Sequence, residues 1–368
     1  MALFSRDATT STKQERPGMT ASNDTQKLRI GFIGTGGIAR THMRYLHEMD
    51  EVDIVAGADI NADNLAQVKD QYDVDGLYED WTEMLANEDL VAVDICTPNS
   101  LHYQPTLDAL NADCHVMVEK PLAMNADEGQ QMLDAAADKG KHLIIGFQHR
   151  YRAPVQMLKS MQADGEFGDI MFMKCRALRR RGIPNWGVFG RKELQGGGPM
   201  IDIGVHCMEM AHYVMGRPEP VAASGNTWTY MGNKASDTAC RWAGWDYETY
   251  TVEDLAIGQI RFDNGAIMQV EASFAAHCED KFDFTFMGTE GGATLDGPTI
   301  YQDRHGHMVH TKPDWMPETD PFKQKMCDFV DTLLGKQKSS SPAADGQMIQ
   351  RMIDGIYKSA EEGKEVPI

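Results

Sequence analysis

Two short segments carry side chains suited to moving a proton on and off an oxygen atom. Glu119-Lys120-Pro121 follows an apolar run of strand length at residues 115–118. A lysine at the carboxyl end of a parallel strand stands where such sheets bind ligands, and its ammonium can donate to a ligand oxygen and stabilise charge growing there. The second segment, Gly196-Gly197-Gly198-Pro199-Met200-Ile201-Asp202-Ile203-Gly204-Val205-His206, holds Asp202 and His206 four residues apart. That spacing puts both on one helical face, one turn apart. A carboxylate there can orient a hydroxyl group, and an imidazole that titrates near neutral pH can take its proton. Each segment also has a plainer meaning. Glu-Lys-Pro suits a solvated turn, Asp202 a capping residue, and His206 a core histidine satisfied by backbone.

A third segment suggests what Lys120 faces. Gly34-Thr35-Gly36-Gly37-Ile38-Ala39 has the form G-x-G-x-x-A and lies between an apolar run at 28–33 and a helical pattern at 38–49. Glycine at Gly34 and Gly36 permits the sharp turn and lets a diphosphate approach the backbone. The small Ala39 allows close helix-to-strand packing, and N–H groups at the helix start, around Gly37 and Ile38, donate to the anion. Asp59 ends the second apolar run, 25 residues beyond Gly34. A carboxylate there accepts both ribose hydroxyls of NAD and repels the 2′-phosphate of NADP. Ile60-Asn61-Ala62 offers no arginine for that phosphate, so NAD is expected in preference to NADP. Asp59 also suits the cap of a helix beginning near Ala62.

The elements that must position these groups divide the chain in two. Apolar runs at 28–33, 52–58, 91–96, 115–118 and 142–147 alternate with helical patterns at 38–49, 62–70, 101–111 and 126–139. That alternation predicts a doubly wound parallel sheet with helices on both faces, a Rossmann domain over residues 27–148. From 149 to 368 the pattern changes: a helix at 153–162, a strand at 170–178, the glycine run, a helix at 200–215, and mostly strands from 221 onward. Ala266, Met268, Val270, Ala272 and Phe274 alternate with polar residues, the period of an antiparallel strand with one buried face. Asn264-Gly265 is a hairpin signal, and helices at 321–334 and 343–362 close the chain. The fold class is α/β, with an α+β second domain for substrate and assembly and a tail or arm at 1–26.

Composition narrows the function. The chain has 368 residues, 42% hydrophobic and 24% charged, enough for two cores. Its formal net charge of -20 disfavours nucleic acid and anionic membrane as partners. Seven scattered cysteines without a C-x-x-C pair suit a reducing compartment, and residues 1–26 lack a secretory apolar stretch, so a cytoplasmic protein is expected. His305, His307 and His310 fit no zinc spacing, and no metal is expected. Arg179-Arg180-Arg181 is read as a solvated loop in preference to a contact with an anionic group.

Together the GTGGIA turn, Cys96-Thr97-Pro98-Asn99 with His102, the EKP turn, Gly146-Phe147-Gln148-His149-Arg150-Tyr151, the GGGPMIDIGVH run and Ser359-Ala360 make the chain resemble the Gfo/Idh/MocA family from residue 28 to 368. The resemblance implies an open-faced second domain whose large, mostly antiparallel sheet often mediates oligomers, so a homodimer or homotetramer. It implies Lys120, Asp202 and His206 as the catalytic set, with His206 as acid/base and Lys120 assisting. Thr97, Pro98, Asn99, His102, Glu119 and Gln148 would line the cofactor, Gln148 standing where the family commonly has asparagine. Trp186 would form a substrate wall, although a core tryptophan fits equally, and Arg150 and Tyr151 would face substrate. The implied activity is an NAD-dependent dehydrogenase acting on a secondary alcohol of a sugar, sugar derivative or cyclitol. Glycoside cleavage by transient oxidation and elimination is the alternative, and a redox-inert NAD-binding regulator a third reading.

Overall fold

The computed structural model describes residues 27–368; the expected tail or arm at 1–26 lies outside them. The first half runs β1 (Leu28–Ile33), α1 (Gly37–His47), β2 (Val52–Ala58), α2 (Ala62–Tyr72), β3 (Gly76–Tyr78), α3 (Trp81–Asn87), β4 (Ala92–Ile95), α4 (Tyr103–Asn111), β5 (His115–Val118), α5 (Ala126–Lys139) and β6 (Leu143–Ile145). Its six strands are all parallel, in the order β3-β2-β1-β4-β5-β6. Ile30, Phe32, Val93, Ile95, Val116 and Val118 are fully buried, as strands covered by helices on both faces require. The strand order reverses between β1 and β4, which opens a crevice beyond their carboxyl ends. Only β3 and α3 were not anticipated; a three-residue strand with intermediate burial leaves no apolar run to read.

The second half continues with α6 (Ala153–Ala163), β7 (Ile170–Leu178), the short α7 (Lys192–Gln195), a π-helical turn at Met200–Gly204 and α8 (Val205–Met215). Then come β8 (Pro220–Trp228), β9 (Leu255–Phe262), β10 (Ile267–Ser273), β11 (Lys281–Gly288), β12 (Gly291–Thr294), β13 (Thr299–Arg304), β14 (His307–Thr311), α9 (Pro321–Leu333), α10 (Ala343–Glu362) and β15 (Val366–Pro367). The nine-stranded sheet has the order β14-β13-β12-β11-β7-β10-β9-β8-β15, antiparallel except for the β7–β10 pair. Met268, Val270 and Ala272 turn one face of β10 inward, as their alternation predicts. The hairpin ahead of them turns at Gly265, with φ of 84°. Helix α8 is buried on nearly every side, so it shows no amphipathic stripe, and even its polar His206, Glu209 and His212 are buried.

Two packing details correct the simple division. The expected single helix at 200–215 begins with a π turn, a departure often found at functional sites. Helix α9 leaves the second sheet and packs on α1, where Met326, Phe329 and Val330 complete a core with Phe32, Met43 and Leu46. No helix among the described residues is long and apolar enough to cross a membrane.

Candidate active site

Strand β5 delivers Glu119-Lys120-Pro121 to the crevice, with a cis bond before Pro121. The Lys120 Nζ donates to Asp202 Oδ1 at 2.9 Å and to the Asp202 carbonyl at 3.1 Å. Residues 82 positions apart thus meet across the two sheets. The ammonium remains partly accessible, its side chain 18% exposed, so it can still reach a ligand in the cleft.

The Asp202 side is held by a residue with no sequence signal. Glu253, buried beneath the glycine run, accepts from Gly198 N at 2.9 Å, Met200 N at 3.2 Å and the Tyr357 hydroxyl at 2.8 Å. Its carboxylate serves the otherwise unpaired N–H groups at the start of the π turn. A Cβ on Gly198 would lie 2.3 Å from the Glu253 carbonyl oxygen, so only glycine permits this approach. One turn on, His206 is 7% exposed and its Nδ1 has no hydrogen-bond partner. The His149 ring meets it edge-on at 4.6 Å between centroids. Burial first, then His149 and Lys120, hold the His206 pKa well below the ordinary histidine value, so the imidazole is neutral.

Asp202, His206 and Trp186 line a cavity of about 670 Å³ with His149, Trp242 and Phe282. Trp186 is half exposed and meets Trp242 edge-on at 4.8 Å, which makes it a wall and not a core residue. The arginine run does not fit its solvated-loop reading, because Arg179 and Arg181 also line this cavity. They follow directly on β7, the strand expected at 170–178, but what stands opposite them is set by loops distant in sequence. His149 also lines this cavity, a place its neighbours in the sequence do not reveal.

The nucleotide crevice is a separate cavity of about 330 Å³ lined by Gly34, Gly36, Asp59, Trp81, Thr97 and Pro98, among others. Gly34 has φ of 81° and packs on the Cys96 carbonyl, whereas a Cβ on Gly36 or Gly37 would meet nothing within 4 Å. The space over those two glycines, and the start of α1 with no side-chain cap, suit a diphosphate. The Ile38 side chain packs on the core. Asp59 is fixed by Thr35 N and Asn61 N, each at 2.8 Å, leaving the cap of α2 to Asn61. The Gln148 Oε1 is buried without a partner. These features fit NAD. Arg40, from α1, reaches Thr35 O at 2.9 Å and Asn64 Oδ1 at 3.3 Å, an arginine that inspection of the residues after Asp59 could not find.

Several expected lining residues are instead braces. His102 is fully buried, with Nδ1 2.7 Å from Pro121 O and Nε2 3.0 Å from Thr97 O, so it ties two site loops together. Asn99 donates to Gln195 O at 2.9 Å, just ahead of the glycine run. Glu119 turns inward to Lys325 Nζ at 2.7 Å, and the Lys325 and His42 partners outweigh burial to hold its carboxyl well below the usual range. Lys325 also reaches His42 Nε2 at 2.8 Å, while His42 Nδ1 faces Asp94 at 2.8 Å. His42, Asp94 and Cys96 converge as metal ligands would, but the Lys325 ammonium supplies the positive charge beside them. Arg150 does not face substrate: it is 1% exposed, bound to Glu209 at 3.0 Å and Asp345 at 2.7 Å, and joins the 149–151 turn to α8 and α10. Tyr151 lines a different groove, with Trp315 and Asp328, on the α9 flank.

A parallel nucleotide sheet, a lysine at its carboxyl end and an Asp-His face from the π turn and α8 of the second domain define a nicotinamide-dependent oxidoreductase. The family models for "Oxidoreductase family, NAD-binding Rossmann fold", over residues 28–147, and "GFO/IDH/MocA C-terminal domain", over residues 155–294, both match, and the chain belongs to the Gfo/Idh/MocA family. It is 35% identical to D-glucoside 3-dehydrogenase of Escherichia coli over 95% of this chain and 100% of that one. Levoglucosan dehydrogenase of Pseudarthrobacter phenanthrenivorans is 29% identical over 74% of each chain. The solved structure of levoglucosan dehydrogenase with NADH and levoglucosan superposes with a TM-score of 0.79 at 25% identity, covering 93% of this chain and 100% of that one. The cofactor is NAD.

Proposed function

We propose that this NAD-dependent sugar dehydrogenase oxidises a ring hydroxyl of a glucoside, at C3. The reading rests on the full-length likeness to a glucoside 3-dehydrogenase and, within this chain, on one observation: Lys120 and Asp202 pair at 2.9 Å beside His206 on the rim of a sugar-sized cavity. NAD, when bound, supplies the acceptor for the hydride leaving the carbinol carbon. His206, neutral through burial, takes the hydroxyl proton at its cleft-facing side. Lys120 donates a hydrogen bond to the same oxygen and stabilises its developing charge, and Asp202 keeps the ammonium aimed. Gln148, with its unpartnered Oε1, is available to an amide N–H of the cofactor.

Exposed apolar side chains along the nine-stranded sheet, among them Met171, Met287 and Met308, support self-association through that sheet, and a Met287→Glu variant would then give a smaller species by light scattering. The seven unpaired cysteines support a cytoplasmic setting.

The deciding experiment follows NADH absorbance with methyl glucosides, free aldoses, inositols and anhydrosugars. Stoichiometric NADH and a 3-keto product from a glucoside are expected. Sugar release without NADH accumulation would favour oxidation-elimination, and NADH binding without turnover on any polyol would overturn the enzyme assignment.

A further inference from the structure

Resting on the sugar dehydrogenase reading, we propose that the substrate carries an oxyanion, a carboxylate or a phosphate ester, recognised by Arg179, Arg181, Arg241 and Lys281. All four line the cavity that Asp202 and His206 border. In a chain with 55 acidic and 35 basic residues, cations in one cleft would ordinarily find carboxylates. Among the described residues none of these four does. Elsewhere among the described residues seven arginines, Arg150 and Arg176 among them, form ion pairs within 4.0 Å, whereas Arg40, Arg44, Arg152, Arg180 and Arg191 do not; the cavity differs in gathering its unpaired cations around one space. The cavity's two acids are already engaged: Asp202 by Lys120 at 2.9 Å, Asp280 by the backbone N–H of Arg180 at 2.6 Å.

The arginines are also held for a ligand. The Arg179 guanidinium lies 5.0 Å from the Trp242 ring centre and donates to Gly182 O at 3.1 Å. Arg241 lies 5.2 Å from the same indole. Two like charges thus share one aromatic ring, and burial together with Arg241 pushes Arg179 below the usual arginine range despite Asp202 and Asp280. An oxyanion between planar guanidinium groups would relieve that repulsion and receive paired N–H donors. The indoles of Trp186 and Trp242 offer apolar surface for the C–H face of a sugar ring. The NAD diphosphate does not account for these cations, since the two cavities share no lining residue.

The test titrates the NADH-bound protein with D-glucuronate, D-glucose 6-phosphate and methyl glucoside, following intrinsic tryptophan fluorescence, alongside turnover with NAD. An anionic sugar is expected to bind about tenfold more tightly than the neutral one, roughly 1.4 kcal/mol. The preference should shrink between about 10 mM and about 200 mM NaCl and fall toward unity in an Arg181→Gln, Arg241→Gln double variant. Preference for glucuronate alone identifies a carboxylate site, and for the 6-phosphate alone a phosphate site. Equal affinity for charged and neutral sugars, or a preference untouched by the double variant, overturns the proposal. Oxidation of methyl glucoside without any anion preference would leave the dehydrogenase standing and remove this inference. Anion binding without NADH formation from any sugar would overturn the dehydrogenase reading and, with it, the assignment of the bound anion to a substrate.

Discussion

The crevice over the Gly34 turn and the cavity beside Asp202 and His206 are made differently. The crevice uses backbone: the Gly34 turn, the uncapped start of α1, and an aspartate whose carboxylate is itself held by backbone N–H groups. The cavity uses side chains that arrive from β7 and its following loop, the π turn, the 241–242 loop and the start of β11. A backbone site tolerates few sequences and leaves a local motif. A side-chain site can change its walls without disturbing the backbone that carries them, so one fold can serve different ligands.

Four measurements sharpen or break this contrast. Lys120→Ala should lower kcat by about 10²–10⁴-fold, because its hydrogen bond strengthens in the transition state; NADH affinity by calorimetry should hardly change, and a wild-type rate would remove Lys120 from the chemistry. Lys325→Met strips the buried Glu119 carboxylate of its cation and should cost about 3–5 kcal/mol in urea unfolding. A small loss would mean that the α9 contact is dispensable to the first core.

Gly36→Val fills space that is open in the protein and needed by the diphosphate. NADH affinity should fall by about 100-fold, roughly 2.7 kcal/mol, with the melting temperature unchanged; a matching loss of stability would show that the glycine serves packing instead. The smallest effect concerns pH. Burial pushes His149 down to about 4 from its ordinary 6.5, so the fold prefers the neutral ring. The stability it contributes is full above 6.5 and is lost as pH falls through about 4. The melting temperature should therefore drop over that window, less steeply in His149→Asn.

Much of the first sheet was legible because its strands are apolar runs separated by helical periods. The glycine turn and Asp59 stand out as candidates because a nucleotide-binding motif is local in sequence. Glu119, His102 and Arg150 carried the right motifs but the wrong expected contacts. A motif marks a place in the chain, whereas the direction of a side chain depends on what packs against it, here Lys325, Pro121 and the Glu209–Asp345 pair. Arg179 and Arg181 were set aside for the same reason.

By itself the sequence determined the alternation of elements, the nucleotide-binding fold and the preference for NAD, and it marked Lys120, Asp202 and His206 as candidates, because each depends on spacing along the chain. The tertiary structure alone decided that Lys120 meets Asp202, that Glu253 anchors the glycine run, that α9 returns to the first core, and that unpaired cations line the sugar cavity. Those contacts join residues tens to hundreds of positions apart, and only the packing of two sheets around a buried helix fixes which of them touch.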